Sequence, residues 1–245
     1  EGTFVRRNQR VRTEVYPIGT DPHDFERWAA EAAQQHQARA MLRIPESHRI
    51  ILGVDRLDYT KGIPVRLMAF EYLLEHYPSL RRNVTFIQIS VPSRTRVPEY
   101  IEEKNRVDQL VGSINGRYSE AGWSPVHYLY RAFSQQELAG FYREADVCLV
   151  TPLRDGMNLI AKEFVASQNP ENPGVLVLSK FCGAAETMRE ALIVNPYDIE
   201  GTARAIHDAL TMRRRERRRR WEALVQEVRR HTAHSWASDF LADLM

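Results

Sequence analysis

Six short apolar runs, separated by stretches with helical periodicity, constrain the fold more than any other feature of this chain. The runs contain few alternating polar positions, which is typical of strands buried on both faces of a parallel sheet. Strands that alternate with helices through right-handed crossovers predict a doubly wound, Rossmann-like α/β domain. The predicted strands cover residues 50–54, 84–90, 126–130, 146–150, 174–179 and 191–196.

Helical patterns fill the connections between these runs. In the first connection Leu67, Phe70 and Leu74 recur at three- and four-residue spacing, which indicates one apolar helix face. The first 45 residues differ, because they indicate a strand, a turn-rich linker and then a helix from 22 to about 41. The other predicted helices cover residues 63–77, 99–111, 135–143 and 183–190, with one more after the Asp155-Gly156 turn and one from about 199.

Composition narrows the functional classes. The 245 residues are 43% hydrophobic and 27% charged, which is an ordinary globular balance. The formal net charge of +2 provides no strongly basic field, so we expect no nucleic-acid partner. Cys148 and Cys182 lie in apolar sequence surroundings, which suits a reducing cytoplasm. No apolar run approaches the length of a membrane span, so we expect a cytoplasmic protein without membrane contact.

Several common catalytic and binding motifs do not occur in the sequence. No GxGxxG follows the first strand and no GxxxxGK[ST] is found, which disfavours NAD and a P-loop. GxSxG, HExxH and CxxC are absent as well. His231 and His234 have no third ligand nearby in the sequence, and a metal site needs at least three protein ligands. We interpret them as solvated or capping histidines and expect no metal.

The arginine-rich run at 213–220 is the one feature that suggests nucleic acid. It lies in a helical pattern that continues through Trp221 and Leu224. Charge blocks of this kind usually mark a solvated helix face. No aromatic residues are interleaved to stack on bases. We therefore interpret the run as a solvated face.

The loop after the first predicted strand carries two cations. Arg56 and Lys61 precede a helix that begins near residue 63. A helix N-terminus has partial positive charge and free N–H groups, so the added cations favour a dianion such as a diphosphate. The alternative is that Arg56 pairs with Asp55 or Asp58, with Lys61 an ordinary surface residue.

Two further candidates follow the next strands. Arg94 comes just after the second strand, where it either binds an anion or forms a surface salt bridge. Ser134 and Glu137 have the spacing of a capping box. Phe133, directly before that cap, is either a hydrophobic staple or a flat surface for a base.

The turn at Asp155 and Gly156 leads from a strand into a helix. Glycine allows close approach of the backbone to a ligand. Asp155 can accept hydrogen bonds from hydroxyl groups. Four backbone N–H groups are expected to point at the same ligand, and they belong to Met157, Asn158, Leu159 and Ile160.

Glu163 lies in the first turns of this helix beside an apolar face. A carboxylate there can accept two vicinal hydroxyls, as ribose presents them; dinucleotide folds use an acidic residue for the same task. The alternative is that Glu163 pairs with Lys162 or merely favours the helix dipole. Taken together, two cations, two helix N-termini and two carboxylates at one sheet edge fit a nucleotide-sugar diphosphate.

Four long stretches, in the same order along the chain, carry a resemblance to a known family. They are similar to the C-terminal half of the trehalose-6-phosphate synthases, which are retaining glucosyltransferases of glycosyltransferase family 20 with the two-domain GT-B fold. The resemblance implies transfer of glucose from UDP-glucose, or another nucleotide-glucose, to glucose 6-phosphate, giving trehalose 6-phosphate. The stretches are GVDRLDYTKGIPVRLMAFEYLLEHYP, INGRYSEAGWSPVHYL, VTPLRDGMNLIAKEFVASQ and NPGVLVLSKFCGAA.

The resemblance also implies a role for each candidate residue. The catalytic assignments are Arg56, Lys61 and Asp155. Arg94 would hold the phosphate of the acceptor, and no metal or cofactor would be needed, since the nucleotide-sugar is a substrate. The donor would be bound by Arg56 and Lys61 at the diphosphate, Phe133 against the uracil, Asp155 with the backbone of Gly156, Met157 and Asn158 at the glucose, Leu159 and Ile160 at the diphosphate, and Glu163 at the ribose.

The resemblance covers only the C-terminal half of the family, and it implies that the first half, a whole nucleotide-fold domain, is missing from this chain. We expect residues 1–18 to be the remnant of that domain with its linker, 19–232 the nucleotide-sugar-binding domain, and 233–245 a crossover helix. Trp236, Phe240 and Leu244 would form an apolar stripe on that helix. The stripe would be exposed or covered by a substitute such as a second copy, and this half alone would be poorly active or inactive.

Two alternatives to this function stay open at this point. One is a related glycosyl- or pseudo-glycosyltransferase with another phosphorylated acceptor, such as glycerol 3-phosphate. The other is a non-catalytic regulatory module, against which the presence of Arg56, Lys61, Asp155 and Glu163 argues.

Overall fold

Two separate sheets are present in the computed structural model, which describes residues 2–6, 9–33 and 37–244. An antiparallel pair, β1 Gly2–Arg6 and β2 Gln9–Thr13, precedes a six-stranded parallel sheet. The strands of the parallel sheet are β3 Arg49–Arg56, β4 Val84–Val91, β5 Val126–Leu129, β6 Val147–Val150, β7 Val175–Ser179 and β8 Leu192–Val194.

The strand order of the parallel sheet is β5-β4-β3-β6-β7-β8. This order reverses direction between β3 and β6, which confirms the predicted doubly wound fold. Successive residues of β3 point to opposite faces, so Ile50 and Leu52 enter one core and Ile51 enters the other.

Helices cover both faces of the sheet. The core on one face is closed by α1, α2, α5, α6 and α8, and the core on the other by α3, α4 and α7. The helices are α1 Pro22–Ala33, α2 Gln37–Leu42, α3 Ile63–His76, α4 Pro98–Tyr118, α5 Gln135–Glu144, α6 Leu159–Ala166, α7 Ile199–Thr211, α8 Arg214–Arg230 and α9 Ala233–Ala242. Among the described residues, no helix is both long enough and apolar enough to cross a bilayer.

Several predicted elements differ in extent from the observed ones. The N-terminal segment forms two paired strands rather than one, and the exposed face of β1 gives no burial pattern by which to predict it. The predicted helix over 22–41 corresponds to α1 and α2, and positions 34–36 lie outside the described residues. The predicted short helix at 183–190 is a 3-10 turn, Gly183–Glu186.

The fourth helix is longer than predicted. The prediction ended this helix at residue 111, and two residues that disfavour helix, Gly112 and Gly116, follow it. In the structure α4 continues to Tyr118, since Ile114 and Tyr118 are buried against the sheet. Tertiary packing has overridden local propensity here.

A buried arginine connects the strands at the point where the strand order reverses. Arg66, on α3, is 1% exposed and its Nη1 lies 2.5 Å from Oδ2 of Asp55 at the end of β3. The same guanidinium donates to Oγ1 of Thr151 at 2.8 Å, to Oε1 of Gln88 at 3.0 Å and to the carbonyl of Lys61 at 3.4 Å. Burial raises the pKa of Asp55 and the Arg66 charge opposes that rise.

Gly53 leaves the space that this arginine occupies. A Cβ at Gly53 would lie 2.6 Å from Nη1 of Arg66 and would overlap Oε1 of Gln88. Neither group is free to move aside, because Arg66 is held by Asp55 and the Gln88 amide donates to the carbonyl of Ile89 at 3.0 Å. Any side chain at position 53 would therefore disturb the buried network.

The final helix packs on the linker that precedes α1. Nε1 of Trp236 donates to the carbonyl of Tyr16 at 3.1 Å, and the rings of Tyr16 and Phe240 meet edge to face at 5.3 Å. Leu244 is 68% exposed. Phe240 is 39% exposed, so the expected exposure of the stripe holds for Phe240 and Leu244, while the chain's own linker partly covers Trp236.

A buried lysine fixes the end of the same linker. Lys162, on α6, is 2% exposed and its ammonium donates to the carbonyl of Ile18 at 2.8 Å. Burial lowers the pKa of Lys162. A Cβ at Gly19 would overlap the carbonyl oxygen of His231, so the linker passes directly against the junction of α8 and α9.

The arginine-rich run is mostly a solvated face, as interpreted from the sequence. Arg218 and Arg219 form exposed ion pairs with glutamates on the same helix. Arg217 is the exception, because it is buried and donates to the carbonyl of Pro173 at 2.9 Å and to Asn172. His231 ends α8 and lies 3.1 Å from the carboxylate of Glu227.

We predict that Gly53→Ala lowers the free energy of unfolding by about 1–3 kcal/mol, because the added methyl group overpacks a buried polar network. Gly116→Ala is the matched control. A Cβ at that exposed helical position meets nothing within 4 Å, and we expect it to stabilise the chain by about 0.5–1 kcal/mol. Urea unfolding of both variants measures the two effects, and equal effects of the same sign would contradict this account.

Candidate active site at the sheet edge

The candidate site lies beyond the carboxyl ends of β3 and β6, where the strand order reverses. The loop after β3 forms a 3-10 turn, Tyr59–Lys61, which is capped by the side chain of Asp58. Gly62 follows with φ of 66°, a conformation that glycine adopts without a steric penalty. The loop after β6 is joined to this loop by a hydrogen bond of 2.8 Å from the Leu153 amide to the carbonyl of Thr60.

Lys61 and Asp155 meet across these two loops. Nζ of Lys61 lies 2.6 Å from Oδ2 of Asp155, and the two side chains are 13% and 15% exposed. The residues come from different strand ends, 94 positions apart. The alternative that Lys61 is an ordinary surface lysine is therefore wrong.

Arg56 is the last residue of β3 and is exposed. The alternative pairing with Asp55 or Asp58 is not observed: Asp55 bonds Arg66, while Asp58 bonds Thr60 and the hydroxyl of Tyr100. Within the described residues the guanidinium of Arg56 makes no ion pair, so its charge is available to a ligand at this edge.

The Asp155 carboxylate organises the turn that enters α6. Its Oδ2 accepts from Nδ2 of Asn158 at 3.1 Å, and its Oδ1 accepts a longer bond from the amide of Met157 at 3.4 Å. Met157 thus differs from the expected set of free amides. Leu159 and Ile160 match the prediction of free amides, because their N–H groups have no acceptor among the described residues.

Asn158 begins α6 in an uncommon backbone conformation. Its φ is 79°, and its side-chain oxygen accepts from the Ala161 amide at 3.3 Å. The amide group of the same side chain donates to Asp155, as described above. Asn158 therefore holds the open N-terminus of α6 and the Asp155 carboxylate in one arrangement.

Two glycines behave differently at this turn. A Cβ at Gly156 meets nothing within 4 Å, so the protein itself does not require glycine there. A Cβ at Gly183 would overlap the carbonyl oxygen of Gly156, so Gly183 permits the close packing of the two loops. Gly183 was not among the predicted site residues, although it follows a strand end as the other candidates do.

Glu163, which was predicted to bind a ribose, is buried rather than open at the start of the helix. It is 8% exposed, and its Oε2 accepts a hydrogen bond of 3.0 Å from the hydroxyl of buried Tyr142. Burial raises the pKa of Glu163, and the Tyr142 hydroxyl opposes that rise. The alternative pairing with Lys162 is wrong, since that ammonium bonds the carbonyl of Ile18. A ribose contact stays a prediction.

Phe133 is half-buried beside a capping box. The box between Ser134 and Glu137 is present as predicted. The Phe133 ring meets Phe141 edge to face at 5.1 Å, and the guanidinium of Arg131 lies 4.4 Å from its centroid. Phe133 thus packs against the core from the edge of the site, and its contact with a base stays a prediction.

Arg94 is joined to the first loop through a tyrosine. Its φ is 44°, a region uncommon for any residue except glycine. Nη1 of Arg94 donates to the hydroxyl of Tyr100 at 3.2 Å, and that hydroxyl donates to Asp58 at 3.0 Å. Although burial acts in the opposite direction, hydrogen bonds from Thr60 and Tyr100 lower the pKa of Asp58. Arg94 therefore reaches the capped turn that presents Lys61.

Comparison with known proteins decides the family. Residues 1–245 match the profile of Glycosyltransferase family 20. The chain belongs to this family. It is 44% identical to the trehalose-6-phosphate synthase of Sinorhizobium fredii over 230 residues, which are 94% of this chain and 50% of that protein. The chain thus spans about half the length of the curated relatives it matches.

Solved structures agree with this assignment. The α,α-trehalose-phosphate synthase (UDP-forming) of Burkholderia xenovorans, in complex with glucose-6-phosphate, matches with a TM-score of 0.96 and 42% identity over 99% of this chain and 54% of that one. An E. coli structure bound with UDP-2-fluoro glucose matches with a TM-score of 0.91 and 41% identity over 99% of this chain and 55% of that one. The predicted fold, a domain of a GT-B glycosyltransferase, is confirmed.

Three side chains that hold the candidate site residues in place were not among the site residues predicted from the sequence. They are Arg66, Tyr100 and Tyr142. A single arginine in the apolar pattern of α3 was a signal for the first of these. The two tyrosines gave no signal, because their partners are distant in sequence. Among the described residues, no group of three histidines, cysteines or carboxylates is placed to bind a metal ion.

Substitution of Asn158 tests the geometry of the α6 entrance. We expect Asn158→Ala to lower the free energy of unfolding by about 1–2 kcal/mol, because it removes the cap and leaves a Cβ at a positive φ. Asn158→Gly keeps the favourable backbone, and a cost of only a few tenths of a kcal/mol is expected. Chemical denaturation measures both, and an equal loss in the two variants would show that the backbone conformation is not the cause.

Proposed function

We propose that this chain is the nucleotide-glucose-binding half of a retaining glucosyltransferase, with UDP-glucose as donor and glucose 6-phosphate as acceptor. The product would be trehalose 6-phosphate. The observation that carries the proposal is the meeting of Lys61 with Asp155 beside the open N–H groups of Leu159 and Ile160. A cation, a carboxylate and a helix N-terminus at the switch point match the parts of a sugar nucleotide.

The diphosphate is the first of these parts. Arg56 and Lys61 supply two cations, and the N-terminus of α6 supplies amide hydrogens. Charge-assisted hydrogen bonds of this kind are short and strong. They also become more favourable as the nucleoside diphosphate leaves, because its negative charge grows in the transition state. The same groups thus bind the donor and stabilise the leaving group.

The glucose is the second part. Asp155 is fixed by Lys61, Asn158 and the Met157 amide, so its carboxylate has one orientation. In that orientation it can accept hydrogen bonds from glucose hydroxyls and hold the anomeric carbon near the diphosphate. Holding the reacting atoms in place removes much of the entropic cost of the reaction.

The reaction would proceed on one face of the sugar. The bond from the anomeric carbon to the diphosphate oxygen breaks, and the acceptor hydroxyl oxygen bonds to the same carbon on the same face. The proton of that hydroxyl passes to the leaving phosphate. In this scheme no side chain acts as a nucleophile, and Arg56 and Lys61 provide the positive charge that the leaving group requires.

The acceptor is glucose 6-phosphate in this proposal, with Arg94 as the ligand of its phosphate. The Burkholderia xenovorans structure in complex with glucose-6-phosphate supports this choice over another phosphorylated acceptor. The remaining acceptor contacts would come from a second GT-B domain that faces this edge. A cytoplasmic location is proposed as well, because Cys148 and Cys182 are buried free thiols.

Nucleotide binding by this chain is the direct test. We expect UDP to bind in isothermal titration calorimetry, with GDP and ADP compared in parallel. Lys61→Ala and Arg56→Ala should each weaken UDP binding by roughly 10-fold or more, since each removes a charge-assisted contact. Arg204→Ala is the control, because Arg204 forms an exposed ion pair with Glu200 on α7.

Three outcomes would contradict the proposal. One is the absence of binding for all three nucleotides by a folded chain. Another is an equal loss of affinity in the Arg204 control. The last is unchanged UDP affinity in both the Lys61 and the Arg56 variants.

A further inference from the structure

Tyr142 lies behind Glu163, in the contact between α5 and α6. Its side chain is 0% exposed, and its hydroxyl is 3.0 Å from Oε2 of Glu163. Its ring also packs near that of Phe25, with the centroids 6.3 Å apart. The tyrosine therefore cannot reach a ligand itself, but it is bonded to a carboxylate at the candidate site.

The direction of this hydrogen bond is fixed. Burial raises the pKa of Tyr142 well above its ordinary value, so the phenol stays protonated and is the donor. Glu163 must then accept through Oε2. Its second oxygen, Oε1, has no hydrogen-bond donor among the described residues. A buried carboxylate with a single donor has unused acceptor capacity, and it gains from a ligand that brings hydroxyl groups.

The packing of α5 on α6 does not depend on the tyrosine hydroxyl. Gln168 connects the two helices, since its amide donates to the carbonyl of Tyr142 at 2.6 Å and to that of Phe164 at 3.2 Å. Its oxygen accepts from the Gly174 amide at 2.7 Å. The hydroxyl of Tyr142 is thus committed to the orientation of one carboxylate.

We propose that Tyr142 is a positioning residue that selects ribonucleotides: it holds Oε2 of Glu163 so that Oε1 is presented to the vicinal hydroxyls of the donor's ribose. This inference rests on the proposed function, since it assigns the ribose to the same edge that holds the diphosphate. A carboxylate without its fixed partner would rotate, and it would bind the ribose hydroxyls less well.

The test compares UDP, 2′-deoxy-UDP and inorganic pyrophosphate by calorimetry. The unsubstituted chain should bind UDP roughly 10-fold more tightly than 2′-deoxy-UDP, because one charged hydrogen bond is lost with the hydroxyl. Tyr142→Phe should reduce that preference to about 2-fold or less, with pyrophosphate affinity unchanged. The ratio of the two nucleotides is the informative quantity, since a general loss of stability affects both equally.

A matched control and a double variant separate positioning from structure. Tyr118→Phe also removes a buried hydroxyl, one that has no hydrogen-bond partner in the described part of the chain, and it should leave the preference unchanged. Glu163→Gln should lose the preference, and Tyr142→Phe combined with Glu163→Gln should lose no more than Glu163→Gln alone.

Different failures are distinguishable. A folded Tyr142→Phe variant with full preference for UDP would overturn the inference and leave the proposed function intact. If Tyr142→Phe does not fold, Glu163→Gln decides, because its amide oxygen can still accept from Tyr142, and a retained preference there overturns the inference. No binding of UDP or pyrophosphate by the unsubstituted chain would overturn the proposed function and this inference together.

Discussion

The candidate site depends on a buried ion pair below the sheet edge, between Arg66 and Asp55. Water is excluded there, so the guanidinium requires a full set of protein acceptors. Loss of Asp55 would leave an uncompensated buried charge, and loss of a neutral acceptor would leave a buried N–H group without a partner. Those acceptors are Asp55 near the end of β3, Gln88 within β4, Thr151 just after β6 and the carbonyl of Lys61. These bonds to the Arg66 guanidinium fix the spacing of the three strands at this point. The position of the Lys61 loop over the reversal point follows from this.

Charge is distributed unevenly across the site. The cation of Lys61 and the open N-terminus of α6 lie toward the edge, and the Asp155 carboxylate lies between them. The carboxylate of Glu163 is set deeper and has a single fixed donor. A ligand with a charged end and a hydroxyl-rich end matches this sequence of environments, while a uniformly charged polymer does not. The exposed ion pairs on α8 neutralise much of the other basic region of the chain.

Much of this arrangement was predictable from the sequence, because one rule of parallel sheets brings strand ends together. Lys61 and Asp155 each follow an apolar run, and parallel strands end at the same edge, so their placement at one edge was predictable without knowledge of packing. Their ion pair was not predicted, because it depends on β3 and β6 being neighbours. The length of α4 and the contact between Tyr142 and Glu163 were not predictable in this way. Both depend on how a helix sits against its neighbours, and residues 21 positions apart on separate helices carry no local pattern that encodes their register. The need for glycine at position 53 was likewise not predictable, because Arg66 and Gln88 fill the space where a Cβ would lie.

The bond from Lys162 to the carbonyl of Ile18 has a mechanical consequence. Lys162 is on α6, the helix whose first amides lie at the candidate site, and Ile18 is in the linker on which α9 packs. The ammonium is enclosed, so separating it from that carbonyl would strand a charge in apolar surroundings. A pull on the linker is therefore transmitted to α6 through one stiff connection that bypasses the sheet.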